Sequence, residues 1–276
     1  MGSDREKLTE MSVWGHLNAL RSVIVRAVVV LVVLMVVYFA VMPWLFDNVI
    51  LAPCRGDFIL YRLFAKITEL IPMAPAFSTE GFNVQLINIQ LASQFFIHMS
   101  SSFYLALVTA CPFILYLLWT FVRPALYERE VHGVKVAFSL GTLMFYAGAA
   151  VGYFIIFPVT LRFLAEYQIS EMVPNQISLD SYMSTFFSML LIMGIVFELP
   201  LVAWALSSIG IISRSFLRRY RRHAIVVLLI AAALITPTGD PFTLFIVFLP
   251  LYLLYELSIL VVRKNQPQSA SDDNDE

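Results

Sequence analysis

The sequence predicts an all-α membrane protein with six membrane-spanning helices. Hydrophobic residues make up 60% of its 276 residues and charged residues 13%, whereas soluble domains carry roughly 25% charged residues. The mean hydropathy is +0.82. Apolar runs such as 103–119 and 140–159 contain no lysine, arginine or acid, and runs of that length are typical of spans rather than of core helices. The composition therefore excludes a soluble globular protein.

The first third of the chain is predicted to hold one span, an external cap and the start of a second span. The span over about 22–46 follows a polar, amphipathic segment and is too long for a cleaved signal peptide, so we expect it to stay as an anchor. Residues 47–94 contain Pro53, Pro72 and Pro75, which interrupt any single helix. They predict an external cap of short helices, followed by a second span over about 95–121.

A polar break over 121–135 lies between the second and third spans. In it, the basic residues Arg123, Arg129 and Lys135 alternate with Glu128 and Glu130. We expect a water-exposed loop held at a membrane face, where two carboxylates can meet a soluble cationic ligand. The alternative is an ordinary solvated surface, which acids beside arginines usually form.

The second half of the chain predicts four spans, of which the last two are short. They lie at about 136–159, 182–212, 224–235 and 242–262, with an external loop over 161–181. The fifth has about 12 to 14 residues and reaches roughly 20 Å, less than the hydrocarbon core of about 30 Å. Either the lipid thins, the chain oligomerises, or packing against other spans hides this helix. Residues 1–264 form one predicted transmembrane domain, and 265–276 a disordered acidic tail.

The distribution of basic residues predicts the orientation. With six spans, the side that holds both termini collects 13 lysines and arginines, and the opposite side holds four. Because short cytosolic loops are enriched in Lys and Arg, both termini and the 121–135 loop are predicted to be cytosolic.

Glu198 is the most informative single residue. It lies inside the apolar fourth span, with no basic residue within fourteen positions on either side. A carboxylate at that depth needs a partner, a proton or a water-filled concavity. It marks either a polar site within the membrane or a protonated packing residue beside Pro200.

Two further acids have simpler interpretations. Asp240 is placed to shape a turn with Gly239, and Glu256 is placed to reach the cytosolic interface or pair with Arg263. No nucleophile and base pair, phosphate-binding loop or metal-ligand spacing is visible, so neither catalysis nor a cofactor or metal is expected. Neither end of the chain suggests nucleic-acid binding.

Several motifs in this order resemble the TatC family, the core subunit of the twin-arginine protein translocase. The resemblance covers about residues 14–262. The motifs are HLNALR (16–21), LAP (51–53), LASQFF (91–96), PFILYLLWTFVRPALYERE (112–130), FYAGAAVGYFIIFP (145–158), FELP (197–200), TPTGDP (236–241) and LPLYLLYE (249–256).

The resemblance implies a concave, glove-shaped bundle in the bacterial cytoplasmic (inner) membrane. Such a protein receives the signal peptides of folded precursors, and it forms an oligomeric complex with TatA/TatB-type single-span proteins to move those precursors under the proton-motive force. By position, Glu130 would contact the twin arginines, with Arg21 in the amino-terminal part of the site, and Glu198 would line the concave face. Partner-contacting or structural positions would be Phe95, Pro53, Asp240 and Glu256.

One position departs from the family pattern. The amino-terminal motif HLxELR carries an acid where this chain has Ala19. The second arginine of a signal peptide is then left to Glu128 or Glu10, or recognition is relaxed.

Two other functions are compatible with the residues. A proton-coupled secondary transporter would use Glu198 as its proton carrier and the fifth span as a broken helix, although no inverted repeat is visible. A scaffold without a ligand would tolerate alanine at both Glu130 and Glu198.

Overall fold

The fold is predominantly helical in the part of the chain that the structure describes. A computed structural model describes residues 13–70, 82–122, 128–170, 172–173, 175–208, 211–236 and 239–262. Its α-helices are α1 (Val13–Leu45), α2 (Ile59–Leu70), α3 (Ser93–Val122), α4 (Glu128–Val151), α5 (Phe157–Glu166), α6 (Leu179–Val196), α7 (Leu199–Ser208), α8 (Arg214–Arg219), α9 (Arg221–Ile235) and α10 (Pro241–Val261). Two short strands are β1 (Leu86–Ile87) and β2 (Ile177–Ser178).

Five helical stretches within the described residues are long and apolar enough to cross a membrane. They are Leu20–Cys54, Ser93–Leu117, Phe138–Glu166, Leu179–Ser207 and Pro241–Val261. The predicted fifth span corresponds to α9, which has 15 residues and is about 22 Å long. It is therefore shorter than a hydrocarbon core of about 30 Å. The last span, α10, is the shortest of the five at 21 residues, yet it reaches roughly that thickness.

The chain separates into two compact units. The first comprises the described parts of residues 1–50 and 90–142, and the second those of 51–89 and 143–276. One boundary falls inside α4, so this helix belongs to both. The single domain over 1–264 stays a prediction, and the tail 265–276 lies outside the described residues.

In the first unit, α1 packs along α3. Small residues are fully buried at four-residue intervals on α3, at Ser102, Ala106 and Ala110, and such residues let membrane helices approach closely. Polar contacts fix the register of the pair: the hydroxyls of Tyr38 and Thr109 are 2.7 Å apart, and His98 Nε2 donates to the Phe39 carbonyl at 2.9 Å.

In the second unit, aromatic rings fill the space between α6 and the helices before it. A π-helical segment, Gly152–Ile156, joins α4 to α5. The Phe186 ring contacts the rings of Tyr153 and Phe157 edge to face, with centroids 6.0 and 5.0 Å apart. Farther along the chain, α10 packs against α7 and α9.

A buried tyrosine holds the predicted cap against α5 within the second unit. Residues 46–54 form a π-helical and then a 3₁₀ turn, and α2 follows. The Tyr61 hydroxyl is 3.0 Å from the carbonyls of both Pro53 and Pro158, to which it donates. Burial raises the pKa of Tyr61 above its usual range, so the hydroxyl keeps its proton and remains a donor.

Arg162 reinforces this attachment from the side of α5. Its guanidinium carbon lies 5.4 Å from the centroid of the Tyr61 ring and 5.0 Å from that of Phe82, which is within the range of cation–π attraction. Its Nε is 2.9 Å from Glu166 Oε1. Short parallel pairing of β1 with β2 also ties the cap to the segment before α6, a feature that the sequence did not indicate.

Three predicted boundaries are wrong. The loop over 121–135 is largely helical, because α3 continues to Val122 and α4 begins at Glu128. The external loop is also shorter than predicted, since α5 continues to Glu166. The fourth span is not one helix: it breaks between α6 and α7, where Pro200 provides no backbone N–H.

Replacing Tyr61 by Phe tests the attachment of the cap. We expect a free energy of unfolding lower by about 1 kcal/mol, because two buried carbonyls lose a donor while the ring stays in place. The measurement is reversible unfolding in mixed micelles. Tyr167→Phe is the control, since Tyr167 is exposed, and equal losses in both variants would contradict the role assigned to Tyr61.

Candidate functional site at an intramembrane helix break

The candidate site is built around the break between α6 and α7. α6 starts with Ser178 as its cap, whose Oγ accepts from Ser181 N at 3.3 Å. It ends at Val196, where Phe197 N donates to Met193 O at 3.1 Å and Glu198 N donates to Ile195 O at 3.0 Å. The Glu198 carbonyl then accepts from Val202 N at 2.9 Å, so it begins the hydrogen bonding of α7.

The Glu198 carboxylate sits at this break, within a membrane-spanning stretch. Its side chain is half-buried. Oε1 is shielded from solvent and has no hydrogen-bond partner among the residues that the structure describes. Buried polar groups of this kind normally have a partner, so the geometry favours water or a ligand group as the missing one.

The break lies close to two glycines, Gly148 on α4 and Gly152 at the start of the π-helical segment that follows it. A Cβ at Gly148 would collide with the backbone carbonyl of Met193 and would lie 2.8 Å from Cβ of Phe197. One turn later, a Cβ at Gly152 would lie 3.1 Å from the Met189 carbonyl. The backbones of α4 and α6 therefore touch, and Phe197, the neighbour of Glu198, rests directly on Gly148.

The predicted recognition residues belong to the first unit. Arg21 is exposed on α1. Glu128 and Glu130 form part of the first turn of α4, but their side chains, like that of Ala19, lie outside what the structure describes. Glu10 precedes the described residues.

Two of the other predicted positions have clear local roles, and a third is exposed. Pro53 is buried and its carbonyl accepts from Tyr61. Asp240 caps α10, because its Oδ1 accepts from Thr243 N at 2.7 Å, and Gly239 beside it has a φ of 62°, which favours glycine. Phe95 lies in the first turn of α3 and is 58% exposed, so it is available to a partner or to lipid.

Glu256 pairs with a residue other than the one predicted. Its Oε2 is 2.6 Å from Arg221 Nη2, and its Oε1 accepts from the Tyr252 hydroxyl at 3.2 Å. Arg263, the predicted partner, lies outside the described residues.

The comparisons with known proteins agree with one another. The family profile described as "Sec-independent protein translocase protein (TatC)" matches residues 15–250. The TatC of Blattabacterium sp. subsp. Periplaneta americana is 32% identical over 258 residues, which cover 93% of this chain and 97% of that one. The TatC of Deinococcus radiodurans is 33% identical over 261 residues, covering 93% and 87%. The chain belongs to the TatC family.

Solved structures of the family show the same fold. Two chains described as crystal structures of the twin-arginine translocase receptor TatC, one of them in DDM, superpose with TM-scores of 0.65 and 0.70. They are 28% and 26% identical and cover 89% and 90% of this chain, and 97% and 99% of their own. Like other TatC proteins, the chain is a multi-pass membrane component of a protein translocase, which works in a complex, and is not an enzyme.

Sequence reasoning missed four residues that organise this TatC protein. Gly148 and Gly152 form a G-x-x-x-G spacing within an apolar run, the signal for close helix packing in membranes. The sequence therefore does contain a signal for this close helix contact. Arg221 as the partner of Glu256, and Arg162 over the cap, carry no local signal, because their partners are distant in sequence.

Replacing Gly148 by Ala tests whether α4 sets the break. We expect a loss of roughly 1–3 kcal/mol in unfolding free energy, because the added methyl meets backbone. Gly194→Ala should cost less, since its nearest neighbour is the edge of the Phe145 ring, at 2.7 Å. Unfolding in micelles measures both, with Ala150→Leu on the exposed side of α4 as control. A Gly148 variant as stable as the wild type would refute the contact.

Proposed function

We propose that this chain is the receptor for twin-arginine signal peptides in the cytoplasmic membrane of a bacterium. Its termini and the start of α4 face the cytosol, in line with the excess of lysine and arginine on that side. The observation that carries the proposal is the match, over about nine-tenths of the chain, to solved proteins described as twin-arginine translocase receptors.

The acids at the start of α4 are the proposed ligands of the signal peptide. Glu130 contacts the arginine pair, and Glu128 and the exposed Arg21 complete the site. Arginine has a planar fork that pairs bidentately with a carboxylate, whereas lysine is a point charge. Acidic residues at this position therefore distinguish arginine from lysine.

Glu198 is the proposed polar site within the membrane. A half-buried carboxylate with one unpartnered oxygen draws water or a polar group to that depth, because leaving it unsatisfied is costly. Such a site supports the passage of a folded precursor, which TatA/TatB-type single-span partners assist under the proton-motive force. A broken helix is also a feature of secondary transporters, but membership of a translocase family favours the receptor.

Glu130→Ala tests the recognition site. We expect the affinity for a fluorescent peptide with an SRRxFLK-type signal to fall about tenfold at low ionic strength, the effect of losing a charge-assisted hydrogen-bonded pair. The loss should shrink at high salt, because exposed pairs are screened.

The KK version of the peptide and an Asp57→Ala variant serve as controls. Asp57 is an exposed acid of the cap and should not affect binding. Equal affinity for the RR and KK peptides, or unchanged affinity in Glu130→Ala at every ionic strength, would contradict this assignment.

Glu198→Leu separates function from stability. Removing an unpartnered polar group should raise the unfolding free energy by about 1 kcal/mol or leave it unchanged, while export of a folded reporter protein is lost. Glu198→Gln keeps a polar group and should retain part of the export. A Leu variant that exports normally, or that is inactive only because it unfolds, would show that Glu198 is merely a packing residue.

A further inference from the structure

The strongest positive charge cluster covers α8 and the start of α9. Residues 213–222, here named the arginine turn, contain five arginines at 214, 218, 219, 221 and 222. All but Arg214 are exposed. A cluster of this density requires anions close by, whether from the protein, from water or from lipid.

Acidic residues within the described part of the chain neutralise only part of this charge. Arg221 is paired with Glu256. Within the described residues, no ion pair joins Arg218, Arg219 or Arg222 to a carboxylate. Three exposed guanidinium groups are thus available to an external anion.

Hydrogen bonds and an ion pair fix the structure of the arginine turn. Ser213 caps α8, its Oγ accepting from Phe216 N at 3.2 Å. The Tyr255 hydroxyl of α10 donates to the Leu217 carbonyl at 2.7 Å. Together with the Arg221–Glu256 pair, this bond fastens the turn to the end of α10.

The position of the turn places it at the depth of lipid headgroups. It connects the end of the stretch Leu179–Ser207 to the start of α9. Phe216 and Tyr220 are 50% and 42% exposed, with ring centroids 4.6 Å apart, and exposed aromatic residues beside membrane helices are typical of the headgroup layer.

The shortness of α9 brings phosphates still closer. Its apolar part, 224–235, is about 18 Å long, and local thinning of the bilayer is one way in which lipid matches such a short helix. Thinning moves the lipid phosphates of this leaflet toward the guanidinium groups at the start of α9. Arginine forks bind phosphate oxygens bidentately.

We propose that the arginine turn is a binding site for the phosphate of anionic phospholipids, formed by Arg218, Arg219 and Arg222. Arg221 holds the turn in place through Glu256 and is not a lipid ligand. This inference does not depend on signal-peptide binding.

The test is the binding of phosphatidylglycerol and of phosphatidylcholine to the full-length protein in detergent, measured by native mass spectrometry. The wild type should prefer phosphatidylglycerol. The triple variant Arg218→Gln, Arg219→Gln, Arg222→Gln should lose roughly fivefold in affinity for each arginine removed. The matched control replaces three exposed bases of the cap, Arg55, Arg62 and Lys66, by Gln and should bind as the wild type does.

Four results would overturn the proposal. One is equal binding of the two lipids by the wild type. A second is an equal loss in the matched cap variant, because the loss would then reflect the overall charge of the protein rather than this site. A third is displacement of phosphatidylglycerol by millimolar inorganic phosphate, which would indicate a site for soluble anions. The fourth is unchanged lipid binding in the Gln variant with loss of copurifying partner subunits, which would indicate a protein-docking surface.

Discussion

Contact between the backbones of α4 and α6 is the constraint on which the intramembrane site depends. Gly148 and Gly152 leave no side chain between the helices, so the carbonyls of α6 lie against α4. Without a hydrophobic force between helices in lipid, such close packing supplies much of the association energy. It also fixes where α6 can end, because Phe197 rests on Gly148. The helix break beside Pro200, and with it Glu198, is therefore packed against a position where α4 has no side chain.

Much of the architecture was predictable because hydrocarbon imposes a single local rule. Every backbone polar group in the bilayer needs an internal partner, so long uncharged runs had to be helices, and the short α9 was visible from length alone. The positions at which helices begin and end were harder to predict from the sequence. Pro200 suggested a kink but not where α6 would end. The helical start of α4 at Glu128 was hidden by the alternating charges before Lys135. Contacts such as Tyr61 with Pro158, or Arg221 with Glu256, join residues 97 and 35 positions apart, and no local pattern encodes them.

Acidic residues and arginines are concentrated in different segments of the chain. Glu128 and Glu130 are placed by helix α4, whereas the arginine turn repels a cationic peptide. In the proposed function, a signal peptide carrying two arginines is attracted to the acids of α4 and repelled by the arginine turn, which adds specificity beyond the contact itself. The same reasoning bears on Ala19. In the proposed function, the absence of an acid at Ala19 weakens the attraction but leaves this contrast in place.

The short α9 and the half-buried carboxylate of Glu198 both favour water in this part of the bilayer. α9 packs against α6 and α10. Both of its ends are polar, since the arginine turn lies at its start and Asp240, the cap of α10, follows its end. Lipid that matches its apolar length is about 18 Å thick rather than about 30 Å. Glu198 lies nine residues before Ser207, about 14 Å along the helix, so local thinning brings water nearer to it. A carboxylate that is costly in a full bilayer becomes tolerable in a thinned one, which agrees with the polar intramembrane role proposed for Glu198.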